Sequence, residues 1–146
     1  MDPGTLLTAS SEGAIDLALF VIRAAIGPCF VVHALGKLGV VGSGNMEGFA
    51  AWLSELGVPF APLQARIAML SELVGGTLLL LGLLTRPAAA LLIVTMIVAG
   101  SVGHRGAGYL ITNEPPGAEY TVNLAAVCLA VLIAGPGAVS LDAWLF

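Results

Sequence analysis

The sequence predicts an all-α integral membrane protein, a bundle of four transmembrane helices with a short interfacial helix in the first loop. Composition is the first reason. Hydrophobic residues make up 58% of the 146 and charged residues only 10%, against about 45–50% and about 25% in soluble domains, so a water-facing surface cannot be covered. The second reason is that four apolar segments recur between connections rich in Gly and Pro. The third is that the few ionisable residues inside those segments are confined to the first two. The length fits a single domain, 1–146, and the 19 glycines suit membrane helices, where Gly is frequent.

Taken in order, a polar leader runs to about Ser11. It has no Lys or Arg and so lacks the basic n-region of a secretory signal, and the first apolar segment is expected to remain in the mature protein. The first span covers about 16–41, enough at 1.5 Å per residue to cross a core of about 30 Å, with a kink expected at Gly27-Pro28. In the following loop, MEGFAAWLSELG places Phe49, Trp52, Leu53 and Leu56 at helical spacing, which predicts an amphipathic helix lying at the interface. The second span covers about 63–84, and a Thr85-Arg86-Pro87 turn leads into the third, about 88–103, making the two antiparallel neighbours. A second loop, GAGYLITNEPPGA, precedes the fourth span at about 119–134. Trp144 and Phe146 are candidates for interfacial anchors. Four spans put both termini on one side and the two long loops on the other, and the scattered Lys and Arg leave the orientation open.

Net charge of -4 with five dispersed basic residues excludes nucleic acid as a partner, because phosphate binding needs clustered cations. Cys29 and Cys128 form no CxxC; they read as small buried hydrophobes, with a disulfide or a redox role as the alternative. His33, His104 and Glu72 lack the helical spacing of a metal or paired-His haem site, so no metal is expected.

Ionisable residues within spans are costly, and each is a functional-site candidate by default. Arg23, Phe30 and Lys37 are seven apart on one stripe of the first helix, with His33 one turn before Lys37. His33 and Glu72 should lie at similar depth, about 12 Å from the loop side, which gives Glu72 two candidate partners, His33 and Arg23. On the structural reading, Arg23 and Glu72 form a buried ion pair that fixes register, and His33 with Lys37 snorkels to headgroups. On the functional reading, Arg23, His33, Lys37 and Glu72 shape a polar pocket facing the long loops, completed by Glu119, Asn123 and His104. There Arg23 and Lys37 hold anionic oxygen or sulfur species, while Glu72 and His33 carry protons. Tyr109 and Tyr120 are either contacts for a ring-shaped, lipid-soluble ligand such as a quinone or plain interfacial anchors. Gly75, Gly76 and Gly82 are expected to permit close helix packing.

Four stretches, LALFVIRAAIGPCFVVHALGKL, ELVGGTLLLLGLLTRPAAALL, GAEY and GPGAVSLD, resemble in order and spacing the DoxX family of small bacterial membrane proteins, over about 17–142. The matching positions are Arg23, His33, Lys37, Glu72, Gly76, Thr85, Arg86, Glu119, Tyr120, Gly135, Gly137, Ser140 and Asp142. Ala34 stands where the family commonly has Gly. The resemblance implies a multi-pass protein of the bacterial cell membrane. It also implies a link to membrane oxidoreductases: a subunit of a thiosulfate:quinone-type or thiol-stress complex, with a peripheral or membrane redox protein as partner. No covalent cofactor motif is present, so the electron acceptor would be a diffusible quinone or a partner's cofactor. Two other functions stay open: a non-catalytic scaffold or assembly partner, and a small transporter that would form its path as a homo-oligomer.

Overall fold

The computed structural model describes residues 11–146, and the polar leader expected before Ser11 falls outside them. Among the described residues every regular element is a helix. The elements are α1 (Glu12–Lys37), α2 (Met46–Glu55), α3 (Ala61–Leu81), α4 (Thr85–Gly103), α5 (Glu119–Ala134) and α6 (Leu141–Leu145). By length and composition α1, α3 and α4 can each cross a membrane, and α5 is a shorter apolar helix.

Local chemistry sets most of these boundaries. Ser11 opens α1 by accepting the Ala14 N–H at 3.2 Å, and Pro28 sits inside α1 without ending it. Asn45 opens α2 in the same way through Gly48 N–H at 2.7 Å, as expected for a side-chain oxygen that meets an orphan donor of the first turn. A helix therefore forms where the interfacial one is expected. The first span begins and ends four residues earlier than the sequence reading, at Glu12 and Lys37. The turn between α3 and α4 also shifts: Thr85, Arg86 and Pro87 already belong to α4, and the chain reverses at Gly82 and Leu84, both left-handed with φ of 65° and 47°.

α1 packs most extensively on α3, α3 on α4 and α4 on α5, while α1 and α5 barely touch. The α1–α3 crossing is set by two glycines. A Cβ on Gly76 would lie 2.8 Å from the Gly27 carbonyl oxygen, and one on Gly27 would lie 2.8 Å from that of Gly76, so the backbones themselves are in contact. Gly75 makes room for the Leu92 side chain. Gly82 makes the turn and also permits close packing, since a Cβ there would collide with the Arg23 guanidinium and Ser140 Cβ. Phe30, Leu79, Ala89, Leu92, Met96, Cys128 and Val131 form the core between the four longer helices, and Leu53 of α2 packs with Ala61 and Ala65 in a smaller cluster. The outer faces carry exposed Val, Leu and Ile on every long helix, the arrangement of chains whose solvent is lipid. Cys29 and Cys128 are both free thiols.

The C-terminal segment folds back over the end of the bundle that holds the α3–α4 turn. Asp142 accepts the N–H groups of Leu84 and Thr85 at 2.7 and 2.8 Å. It thus caps α4, whose own boundary residue supplies no side-chain cap, from 58 residues away. Asp16 accepts the Ala138 N–H at 2.8 Å. Burial alone would push the Asp142 carboxyl up, but the bonds from Thr85 and Leu84 and the nearby Arg23 outweigh it and hold it below the usual carboxylate range.

Candidate functional site

Helical side chains lean toward the N-terminus of their own helix. In the antiparallel pair α1 and α3, Lys37 therefore leans inward from the loop-side end of α1, and Glu72 leans outward toward it. The two meet in an ion pair. Glu72 is 5% exposed, and the Lys37 ammonium also sits over the Phe49 ring of α2, 5.2 Å from its centroid.

The same lean toward the N-terminus of α1 carries Arg23, 14 residues before Lys37, away from Glu72. Its guanidinium, 1% exposed, donates to the carbonyls of Leu80 and Val139 beneath the α3–α4 turn. The pairing of Arg23 with Glu72 is not formed, and Arg23 takes no part in a pocket facing the long loops. It fastens the C-terminal segment instead. The expected outward snorkelling of Lys37 is likewise replaced by an inward pair.

His33, at an exposed position of α1, stacks on Tyr120 of α5, with centroids 6.0 Å apart and planes 8° from parallel. His104, at the end of α4, meets the other side of Tyr120 edge-on at 5.3 Å and donates from Nδ1 to the Pro116 carbonyl at 2.7 Å. Three of the predicted site residues thus form one aromatic column across three helices. Glu119 and Asn123 organise the second loop: Glu119 accepts the Ile111 N–H at 2.9 Å, and Asn123 accepts the Tyr109 hydroxyl at 3.1 Å. They brace the rim of the site.

Between the end of α1 and the underside of α2 lies an open cavity of about 630 Å³, bounded by His33, Lys37, Phe49 and Trp52. Gly36, Gly44 and Gly48 also line it and offer backbone in place of side chains. Phe49 and Trp52 stack on each other at 5.9 Å, and Trp52 rests where a Cβ on Gly103 would lie 2.8 Å from its ring. Sequence reasoning treated Phe49 and Trp52 as interfacial anchors and missed them as walls of the site. The glycines at 36, 44 and 48 around Lys37 were the available signal. Among the described residues no group of three or more His, Cys, Asp or Glu is arranged to hold a metal ion.

The family model DoxX matches residues 18–105. This chain belongs to the DoxX family. Over 129 residues the DoxX chain is 30% identical to the inner membrane protein YphA of Escherichia coli (strain K12), an alignment covering 85% of this chain and 87% of that one. No solved structure matches. Family membership and three apolar helices of spanning length make it a multi-pass bacterial membrane protein embedded in the lipid bilayer. Arg23, His33, Lys37, Glu72 and His104 fall inside the matched DoxX residues, whereas Tyr120, Glu119 and Asn123 lie beyond them.

Proposed function

We propose that this chain crosses the membrane four times and acts as the ligand-binding subunit of a membrane redox assembly, with the flat head of a quinone held in the cavity beneath α2. As a fourth span α5, with 16 residues, reaches about 24 Å. That shortfall is met by local thinning of the bilayer and by the Tyr and Glu at its loop-side end.

One observation carries the choice of ligand: the cavity is walled by aromatic rings yet neutral in charge. Among its described lining residues the cation is Lys37, and Glu72 already compensates it. An anionic oxygen or sulfur species, first suggested by Arg23 and Lys37 together, would find no surplus positive charge. A neutral ring bearing carbonyls finds His33, Phe49 and Trp52 as flat walls and the Lys37 ammonium as a donor. Pockets of this kind combine apolar walls with a few placed polar groups. Reducing a quinone takes two electrons and two protons. In this reading His33, which lines the cavity, and Glu72, which pairs with Lys37 behind it, pass the protons, and the electrons come from the cofactor of a partner protein. A non-catalytic scaffold is the competing reading, favoured by the internal pairing of Lys37 with Glu72.

The test is lipid extraction from gently purified protein followed by mass spectrometry. Wild type should carry a stoichiometric quinone, and a Glu72→Gln variant that retains its thermal transition should lose it. Wild type free of quinone but bound to a stoichiometric protein partner would favour the scaffold.

A further inference from the structure

The cavity beneath α2 does not open only toward water. Val32 lines its edge and is 51% exposed, and it lies five residues before the end of α1 at Lys37, about 7.5 Å down the helix. At 26 residues α1 is about 39 Å long, some 9 Å more than the hydrocarbon core. Shared between the two ends, that excess leaves Lys37 about 4–5 Å outside the hydrocarbon and Val32 inside it. The mouth of the cavity therefore straddles the membrane surface, polar above and apolar at Val32.

Below the mouth the same face of α1 continues through Pro28, Ala25 and Val21, spaced at helical intervals of four, three and four. Val21 and Ala25 are exposed and Pro28 half-buried. Ala25 carries the smallest side chain of this strip, which begins at the cavity-lining Val32.

We infer that the site is loaded sideways from the bilayer by an amphiphile whose flat neutral head fills the cavity and whose apolar tail lies along α1 over Val32, Pro28, Ala25 and Val21. The inference rests on the pocket reading above and adds the route and the tail. With Val32 inside the hydrocarbon, one side of the mouth is open to a ligand dissolved in lipid and closed to one dissolved in water. Because lipid already solvates the tail, the strip contributes by holding the head at the depth of His33 and Lys37 rather than by hydrophobic transfer.

The experiment uses the full chain in nanodiscs with a decyl-tailed benzoquinone carrying a diazirine on the tail close to the ring. The expected result is photolabelling of α1 between Val21 and Val32, displaced by excess tail-less dimethoxybenzoquinone. Ala25→Phe, at an exposed position seven residues before Val32, puts a ring in the path of the tail and should cut that labelling at least about fivefold, the equivalent of about 1 kcal/mol. It should leave binding of the tail-less ring unchanged. Displaceable labelling that falls on α2 or the second loop, or that ignores Ala25→Phe, would overturn the route and leave the pocket standing. Labelling that the tail-less ring cannot displace would overturn both.

Discussion

Removing either partner of the Lys37–Glu72 pair should damage the protein, and removing both should largely repair it. Breaking a fully buried ion pair from one side costs about 3–5 kcal/mol, because the remaining charge is stranded, whereas replacing both partners is often near neutral. The two single changes are not equivalent here. Glu72 is buried in the middle of α3 and cannot swing out to the interface, so Lys37→Met should cost about 3 kcal/mol. Lys37 is the last residue of α1 and its side chain keeps 17% exposure, so after Glu72→Gln it can swing out to the interface, at a cost of about 1–2 kcal/mol. The double variant Lys37→Met/Glu72→Gln should cost no more than about 1 kcal/mol, giving a coupling of about 3–5 kcal/mol. Unfolding by denaturing detergent in mixed micelles, followed by circular dichroism, measures all four corners of the cycle. Effects that add within about 0.5 kcal/mol, or a Glu72→Gln cost exceeding that of Lys37→Met, would refute the reasoning from helix ends and burial.

Three further outcomes follow from the packing. Gly76→Ala, whose Cβ would meet the Gly27 carbonyl oxygen and Phe30 Cβ at 2.8 Å, should force α1 and α3 apart and cost about 1–3 kcal/mol, while Gly13→Ala, with nothing within 4 Å, should be neutral; thermal transitions of the two variants decide. Gly103→Leu should displace Trp52 and red-shift its fluorescence in a Trp144→Phe background, since a Cβ there already lies 2.8 Å from the ring. The Asp142 carboxyl is held below its ordinary value, so the stability it contributes is complete above about pH 4, the unfolded value, and is lost as pH falls through the lower folded value. Asp142→Asn should remove about 1–2 kcal/mol at neutral pH and abolish that acid dependence, seen as faster proteolysis of the C-terminal segment.

The apolar segments were legible from composition and period because each helix must cover its own backbone polar groups with a lipid-compatible surface. α5 was read to the residue, at Glu119–Ala134. The end of α1 was overrun by four residues because Leu38, Val40 and Val41 look helical by hydropathy, although the chain there turns through Gly39 and Gly42. The depth match between His33 and Glu72 was legible too, from counting residues in antiparallel spans. What failed was direction. Counting places Arg23, His33 and Lys37 on one stripe, but the tilt of side chains toward the N-terminus of α1 carries Lys37 toward Glu72 and Arg23 away from it, and that rule could have been applied to the sequence. The partners of Arg23 were not legible at all, because they are backbone carbonyls brought in by the return of the C-terminal segment. Trp52 reaches the site for a similar reason: only the path of the loop lays α2 over the ends of α1 and α4.

The central claim is that the cavity between His33, Lys37, Phe49 and Trp52 binds a neutral flat ring. Trp52 lines that cavity and the sequence contains two Trp, so a Trp144→Phe protein in nanodiscs carries one reporter at the site. Titration with a quinone should quench its fluorescence saturably at one equivalent. His33→Ala should abolish the saturable phase, and Tyr109→Phe, at the rim, should preserve it. Quenching that rises linearly with quinone in the membrane, unchanged by His33→Ala, would mean collision from the bilayer and would contradict the account.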